Sequence, residues 1–204
     1  MSETVDVVSE LPVIILFAFW WALLSMLEFL SAQGPAAGGP KAAPKTGVAP
    51  TGDGDAFPEL READPRFSNA DFLQGACRAY EEILRAYALC DVKALRPLLS
   101  AEVLRAFAEA FAARAAREET LELTFVGIEA AEIVGVAVRP EAIEIAVLFR
   151  AQVIQAERSA AGAVIAGDPA AVATVADMWT FSHRRPAGRG AWVVVATDEF
   201  AEAA

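Results

Sequence analysis

The sequence predicts an α+β domain with N-terminal helices packed on a curved antiparallel sheet of about four strands, preceded by a single transmembrane helix and a disordered linker. Three observations carry this reading. Residues 11–27 form an uncharged apolar run. The stretch that follows is dominated by Ala, Gly and Pro and has no apolar period. From residue 67 onward, apolar residues recur first at helical spacing and then, beyond about residue 120, at a two-residue period. Helices followed by a run of strands segregate onto one face of an antiparallel sheet.

The apolar run is LPVIILFAFWWALLSML, with Val13, Ile14, Ile15, Leu16, Phe17, Phe19, Trp20, Trp21, Leu23, Leu24 and Leu27 as its large side chains. A spanning helix needs about 20 apolar residues, with a usable range near 17–25. Pro12 is tolerated in a first turn, where its missing N–H has no partner to lose. A mean hydropathy of +0.37 fits a chain carrying such an anchor. A secretory leader needs a basic start, whereas this one has Glu3, Asp6 and Glu10 and no Lys or Arg. A buried helix of the domain would have to fold back across the linker. We therefore read 11–30 as a membrane anchor contacting lipid. Lys41, Lys45 and Arg61 follow the anchor and nothing basic precedes it, which places the C-terminal domain on the cytoplasmic side.

Residues 31–66 read as a flexible Ala/Gly/Pro linker that cannot bury enough surface to offset its ordering entropy. The folded domain is expected over 67–200. Ser68 and Asp71 form a capping-box-like start, with Phe67 and Phe72 as a hydrophobic staple. Phe72, Ala76, Tyr80, Ile83 and Tyr87 then follow on one face to about Ala88. Asp91 caps a short helix from Val92 to Leu95 that Pro97 limits. Ser100 caps a third helix, which bears Val103, Phe107, Phe111 and Arg114 on one face and runs to about Arg117.

Residues 121–138 are Val/Ile-rich with two glycines, and predict either one long bent strand or two strands broken near Gly127–Ala131. Residues 142–154 alternate cleanly, with Ile143, Ile145, Val147, Phe149, Ala151 and Val153 on one face. Gly162, Gly167, Asp168 and Pro169 break the pattern over 157–173. Met178 to His183 and Trp192 to Thr197 are the last two strands, joined by a hairpin loop over 186–190.

The chemistry-bearing residues are sparse. The chain has two cysteines and one histidine, so no Cys/His zinc pattern can be written. Cys77 and Cys90 are 13 positions apart in one helical stretch, about 20 Å at ~1.5 Å per residue, and are expected as unpaired, buried or half-buried side chains. Asp177 and His183 share a strand face but lie about 20 Å apart at ~3.3 Å per residue. They cannot exchange a proton directly. Asp177 is expected to end the loop before Met178, and His183 to be a solvated loop residue near a hairpin end, beside Arg184 and Arg185. Arg184, Arg185 and Arg189 form a basic cluster, either a solvated hairpin tip or a contact for lipid headgroups or an acidic partner. Trp179 and Trp192 are expected in the core. No catalytic, cofactor-binding or metal-binding motif is present, and a net charge of −11 disfavours nucleic acid as a partner.

Asp71-Phe72-Leu73-Gln74-Gly75-Ala76, Ala79-Tyr80-Glu81-Glu82-Ile83, and Cys90-Asp91 with Ala94-Leu95, Leu98-Leu99-Ser100 and Glu102-Val103 resemble the opening of the Tim44-like domain. Val126-Gly127-Ile128, Val175 to Phe181 and Trp192 to Thr197 resemble its later part, so the likeness covers roughly 67–200. The resemblance implies an NTF2-like cone and a role at an inner membrane, here a bacterial one. It implies a non-enzymatic binding or scaffold protein in protein translocation or membrane-protein biogenesis, whose partner is a translocase, chaperone or ribosome component. The competing expectation is an apolar-ligand carrier or small-molecule enzyme that uses the cone cavity.

Overall fold

The computed structural model describes residues 57–185 and 191–199. The predicted anchor 11–30, most of the predicted linker, Arg189 and the 186–190 loop lie outside the described residues. Among the described residues no helix is long and apolar enough to cross a membrane.

The first element is α1 (Pro58–Ala63), with Pro58 at its start and Leu60 fully buried. It falls within the stretch read from sequence as linker. Its buried leucine and the contacts of α1 with the sheet give it a tertiary reason to be ordered that propensity alone does not supply. The long helix α2 (Asn69–Ala88) begins at Ser68, whose hydroxyl accepts from the Asp71 N–H. The staple forms as expected, with the Phe67 and Phe72 rings 5.5 Å apart. Phe72, Leu73, Ala76, Tyr80, Ile83 and Ala86 make its buried stripe.

Asp91 caps α3 (Val92–Leu95), accepting from both the Lys93 and Ala94 N–H groups. Ser100 caps α4 (Ala101–Ala116) by accepting from Val103. Arg114 is buried near the end of α4, with its guanidinium 5.0 Å from the Tyr87 ring centre and one N–H donated to the Cys90 sulfur. Both cysteines are free, but Cys90 is exposed rather than half-buried. It sits past the end of α2 in a left-handed turn with φ 54°, so it does not continue the helical stretch assumed for it.

Among the described residues the sheet is antiparallel and five-stranded. It comprises β1 (Thr120–Val138), β2 (Ala142–Arg158), β3 (Val164–Gly167), β4 (Ala173–Arg184) and β5 (Val193–Glu199). The order is β1-β2-β4-β5, with β3 paired to the far end of β2. The 121–138 region is one strand, bent by three register shifts, two of which flank the glycine-containing stretch 125–130. The 157–173 break contains a strand that sequence reading missed. Gly167, at φ 71°, makes the close approach to Gln155 that lets β3 pair there. The strand β4 also starts earlier than expected.

The inner face of β2 is buried throughout, from Ile143 to Val153. The α3–α4 connection covers the start of the edge strand β5. Val194 donates to the Leu98 carbonyl, and Ser100 donates to the Val194 carbonyl. That edge is thereby partly withdrawn from pairing with another chain.

Candidate functional site

Alternation along β4 decides which groups point into the core. Asp177, Trp179, Phe181 and His183 are all buried on its inner face, while the residues between them are half-buried. Two expectations are corrected here. Asp177 lies inside a strand and does not end a loop, and His183 is 8% exposed, not solvated. The cause is register. Asp177 stands opposite Phe149 and His183 opposite Ile143, so both fall on the core side of the sheet.

The α2 helix delivers Tyr80 into this face. Its ring stacks on Phe149 at 4.5 Å, lies 4.6 Å from Trp179, and is completely buried. Its hydroxyl donates to Asp177 Oδ2 at 2.5 Å. Burial pushes the Tyr80 hydroxyl far above the usual phenol range, and the Asp177 charge and hydrogen bond add to the effect. Tyr80 thus remains a neutral donor and Asp177 has a fixed partner. At the other end of the strand, His183 packs on Trp192 with ring centres 5.2 Å apart, and its Nδ1 has no hydrogen-bond partner among the described residues. Trp179 and Phe181 stand between Asp177 and His183 on the same face. The structure does not bring the two into a proton-transfer pair, as the strand spacing predicts.

A groove of about 490 Å³ opens at the start of α2. The segment between α1 and α2 forms one wall, contributing Asp64, Arg66, Phe67 and Ser68. Asp71, Phe72, Gly75, Ala76 and Ala79 line it from α2, and Leu98, Phe181 and Trp192 complete it. Its aromatic part is a set of edge-on contacts: Phe72 to Trp192 at 4.8 Å, Phe72 to Phe181 at 5.7 Å and Phe67 to Trp192 at 6.1 Å. A Cβ placed on Gly75 would meet nothing within 4 Å, so this glycine leaves open space in the groove. The size falls within the range of ligand and peptide sites. Sequence reading missed this groove. Phe67, Phe72 and Trp192 were each singled out, but what unites them is contact between residues more than a hundred positions apart. Trp179 is in the core as expected; Trp192 is half-buried and lines the groove.

Of the basic cluster, Arg184 is exposed at the end of β4. Arg185 is half-buried and held against the β1–β2 turn, its N–H donating to the Glu141 carbonyl and its guanidinium to that of Arg139. Among the described residues no group of three or more His, Cys, Asp or Glu side chains is placed to hold a metal ion.

The model of the Tim44-like domain matches residues 54–199. The chain belongs to the Tim44-like domain family. The matched range takes in α1 as well as every later element, so the helix missed at 58–63 lies within the Tim44-like domain. No curated protein matches the chain. Solved structures that resemble it include the intermembrane space region of the chloroplast protein ARC6, at 11% identity and TM-score 0.47, covering 68% of this chain and 100% of that one. An NTF2-like superfamily protein from Salmonella enterica serovar Typhimurium matches at 12% identity and TM-score 0.39, over 67% of this chain and 95% of that one. A ketosteroid isomerase-like protein from Erwinia carotovora atroseptica matches at 15% and TM-score 0.32, over 61% and 93%.

Proposed function

We propose that this chain is a membrane-tethered, non-enzymatic binding or scaffold protein that acts in inner-membrane protein translocation or membrane-protein biogenesis. The supporting observation is how the inner face of the Tim44-like domain is used. On the buried face of the sheet, Tyr80 occupies the position in front of Asp177 and engages its carboxylate, with Phe125, Phe149 and Trp179 against its ring. A carboxylate engaged in this way is not poised as a general base for a substrate, because catalysis needs a group within hydrogen-bond reach of the reacting proton. Binding then belongs to the outer surface and the groove.

The tethering half of the proposal rests on the sequence. The uncharged run 11–27 is long enough to anchor, and the Ala/Gly/Pro stretch after it holds the domain near the bilayer at raised local concentration. The lysines that follow the anchor favour a cytoplasmic domain. Of the basic cluster Arg184, Arg185 and Arg189, the exposed Arg184 is the described group offered to headgroups or an acidic partner, since Arg185 is held on the Arg139 carbonyl.

Affinity capture of the full chain from detergent-solubilised bacterial membranes, read by mass spectrometry, tests the role. A translocase, chaperone or ribosome component should be enriched over a chain lacking residues 67–200. Recovery of none of these would contradict the biogenesis role.

A further inference from the structure

The groove at the start of α2 is walled in part by the residues that directly follow α1. The described residues begin at Phe57, and the groove wall begins at Asp64, separated only by the six-residue helix α1. At ~1.5 Å per residue that helix sets the chain's entry about 9 Å from the groove. The residues before it read GPKAAPKTGVAP from 39 to 50. We propose that this Pro/Lys segment, residues 40–50, docks into the groove of its own domain.

Three features argue for this occupant. The first is reach. Lys45 lies twelve positions before Phe57, and a random coil of that length has a typical span of about 20 Å. The groove is within that span, so the encounter is intramolecular and the local concentration of the segment is of millimolar order. A contact too weak to form between separate molecules is then well populated.

The second is charge. Lys41 and Lys45 are the only basic residues in the first 60, and the carboxylates among the groove's lining residues are Asp64 and Asp71. Arg66 also lines it, which leaves the lining with a net single negative charge and puts the attraction at the two aspartates.

The third is shape. Proline-rich segments favour the extended polyproline helix, with three residues per turn and little ordering entropy left to lose, and they bind grooves walled by aromatic rings. On that three-residue repeat Lys41, Pro44 and Pro50 share a face. The half-buried rings of Phe67 and Trp192, backed by the buried Phe72, form such a wall.

Zero-length carbodiimide cross-linking of the full chain in detergent micelles tests the proposal, because it joins lysine and carboxylate only in direct contact. The expected products join Lys41 or Lys45 to Asp64 or Asp71 within one chain. Their yield should be several-fold above joins to the exposed Glu102 and Glu109, and should fall several-fold from about 0.05 M to about 0.5 M salt. Gly75→Trp, which fills the groove, should reduce the yield to that background. Pro44→Gly with Pro50→Gly leaves both lysines and the whole folded domain untouched, and should lower the yield as well. The proposal is overturned if joins to Glu102 and Glu109 are equally frequent, or if either variant leaves the yield unchanged. Products found only between isotope-labelled and unlabelled copies would assign the groove to a second molecule and likewise overturn it.

Discussion

Tyr80 and Asp177 are separated by 97 positions, and their hydrogen bond fixes α2 on β4 inside an otherwise aromatic environment. Removing one oxygen leaves the carboxylate facing Phe149 and Trp179 without that donor. A buried acceptor left short in this way costs about 1–3 kcal/mol. Tyr80→Phe should therefore lower unfolding stability by that amount at neutral pH, measured by urea denaturation. The same residue sets an alkaline limb. Its hydroxyl is raised above the usual phenol range in the folded state. Its contribution is thus fully present below the unfolded-chain value of about 10 and is lost as the pH rises past it. Above about pH 10 the slope from this one group approaches ~1.4 kcal/mol per pH unit. Tyr80→Phe should flatten that limb relative to wild type. At this scale the sequence was only partly legible. The shared face of Asp177 and His183 follows from strand period alone. Their burial does not, because it depends on β4 lying opposite the apolar face of β2, a register that no local pattern contains.

At the scale of elements, legibility follows locality. The starts of α2, α3 and α4 were readable because Ser68, Asp91 and Ser100 act within three residues of themselves. The inner face of β2 was readable because alternation is a local signature of a half-buried strand. By contrast, β3 was hidden among Gly162, Gly167, Asp168 and Pro169, which read as breakers. Gly167 is in fact what admits the strand. It sits at φ 71°, and a Cβ there would collide with the Gln155 carbonyl oxygen and carbon. Gly167→Ala should destabilise the β2–β3 hairpin by more than the ~1 kcal/mol of a simple left-handed alanine. Amide exchange should quicken in 156–158 and 164–167 while α2 remains protected. Unchanged exchange would mean that the backbone relaxes around the added carbon at no cost. The helix α1 was lost for a related reason: six residues have little helical signal of their own, and Leu60 reports the helix only once its burial is known.

At the scale of the whole molecule, the α+β class followed from the switch of apolar period, and the family match over 54–199 agrees with the motifs that first pointed to it. The groove was not legible, because its wall joins the entry to α2 with Leu98, Phe181 and Trp192, and only the folded sheet brings these together. The proposed function is a division of labour, in which an apolar N-terminal run would hold the membrane and the Tim44-like domain would do the binding. Fractionation of cells expressing the chain without residues 1–30 tests it most directly. The account predicts that the full chain stays with the membrane through alkaline carbonate extraction. It predicts that the truncated chain moves to the soluble fraction with its circular dichroism and unfolding midpoint unchanged. A truncated chain that still pellets with membranes, or a full chain that washes off, would contradict it.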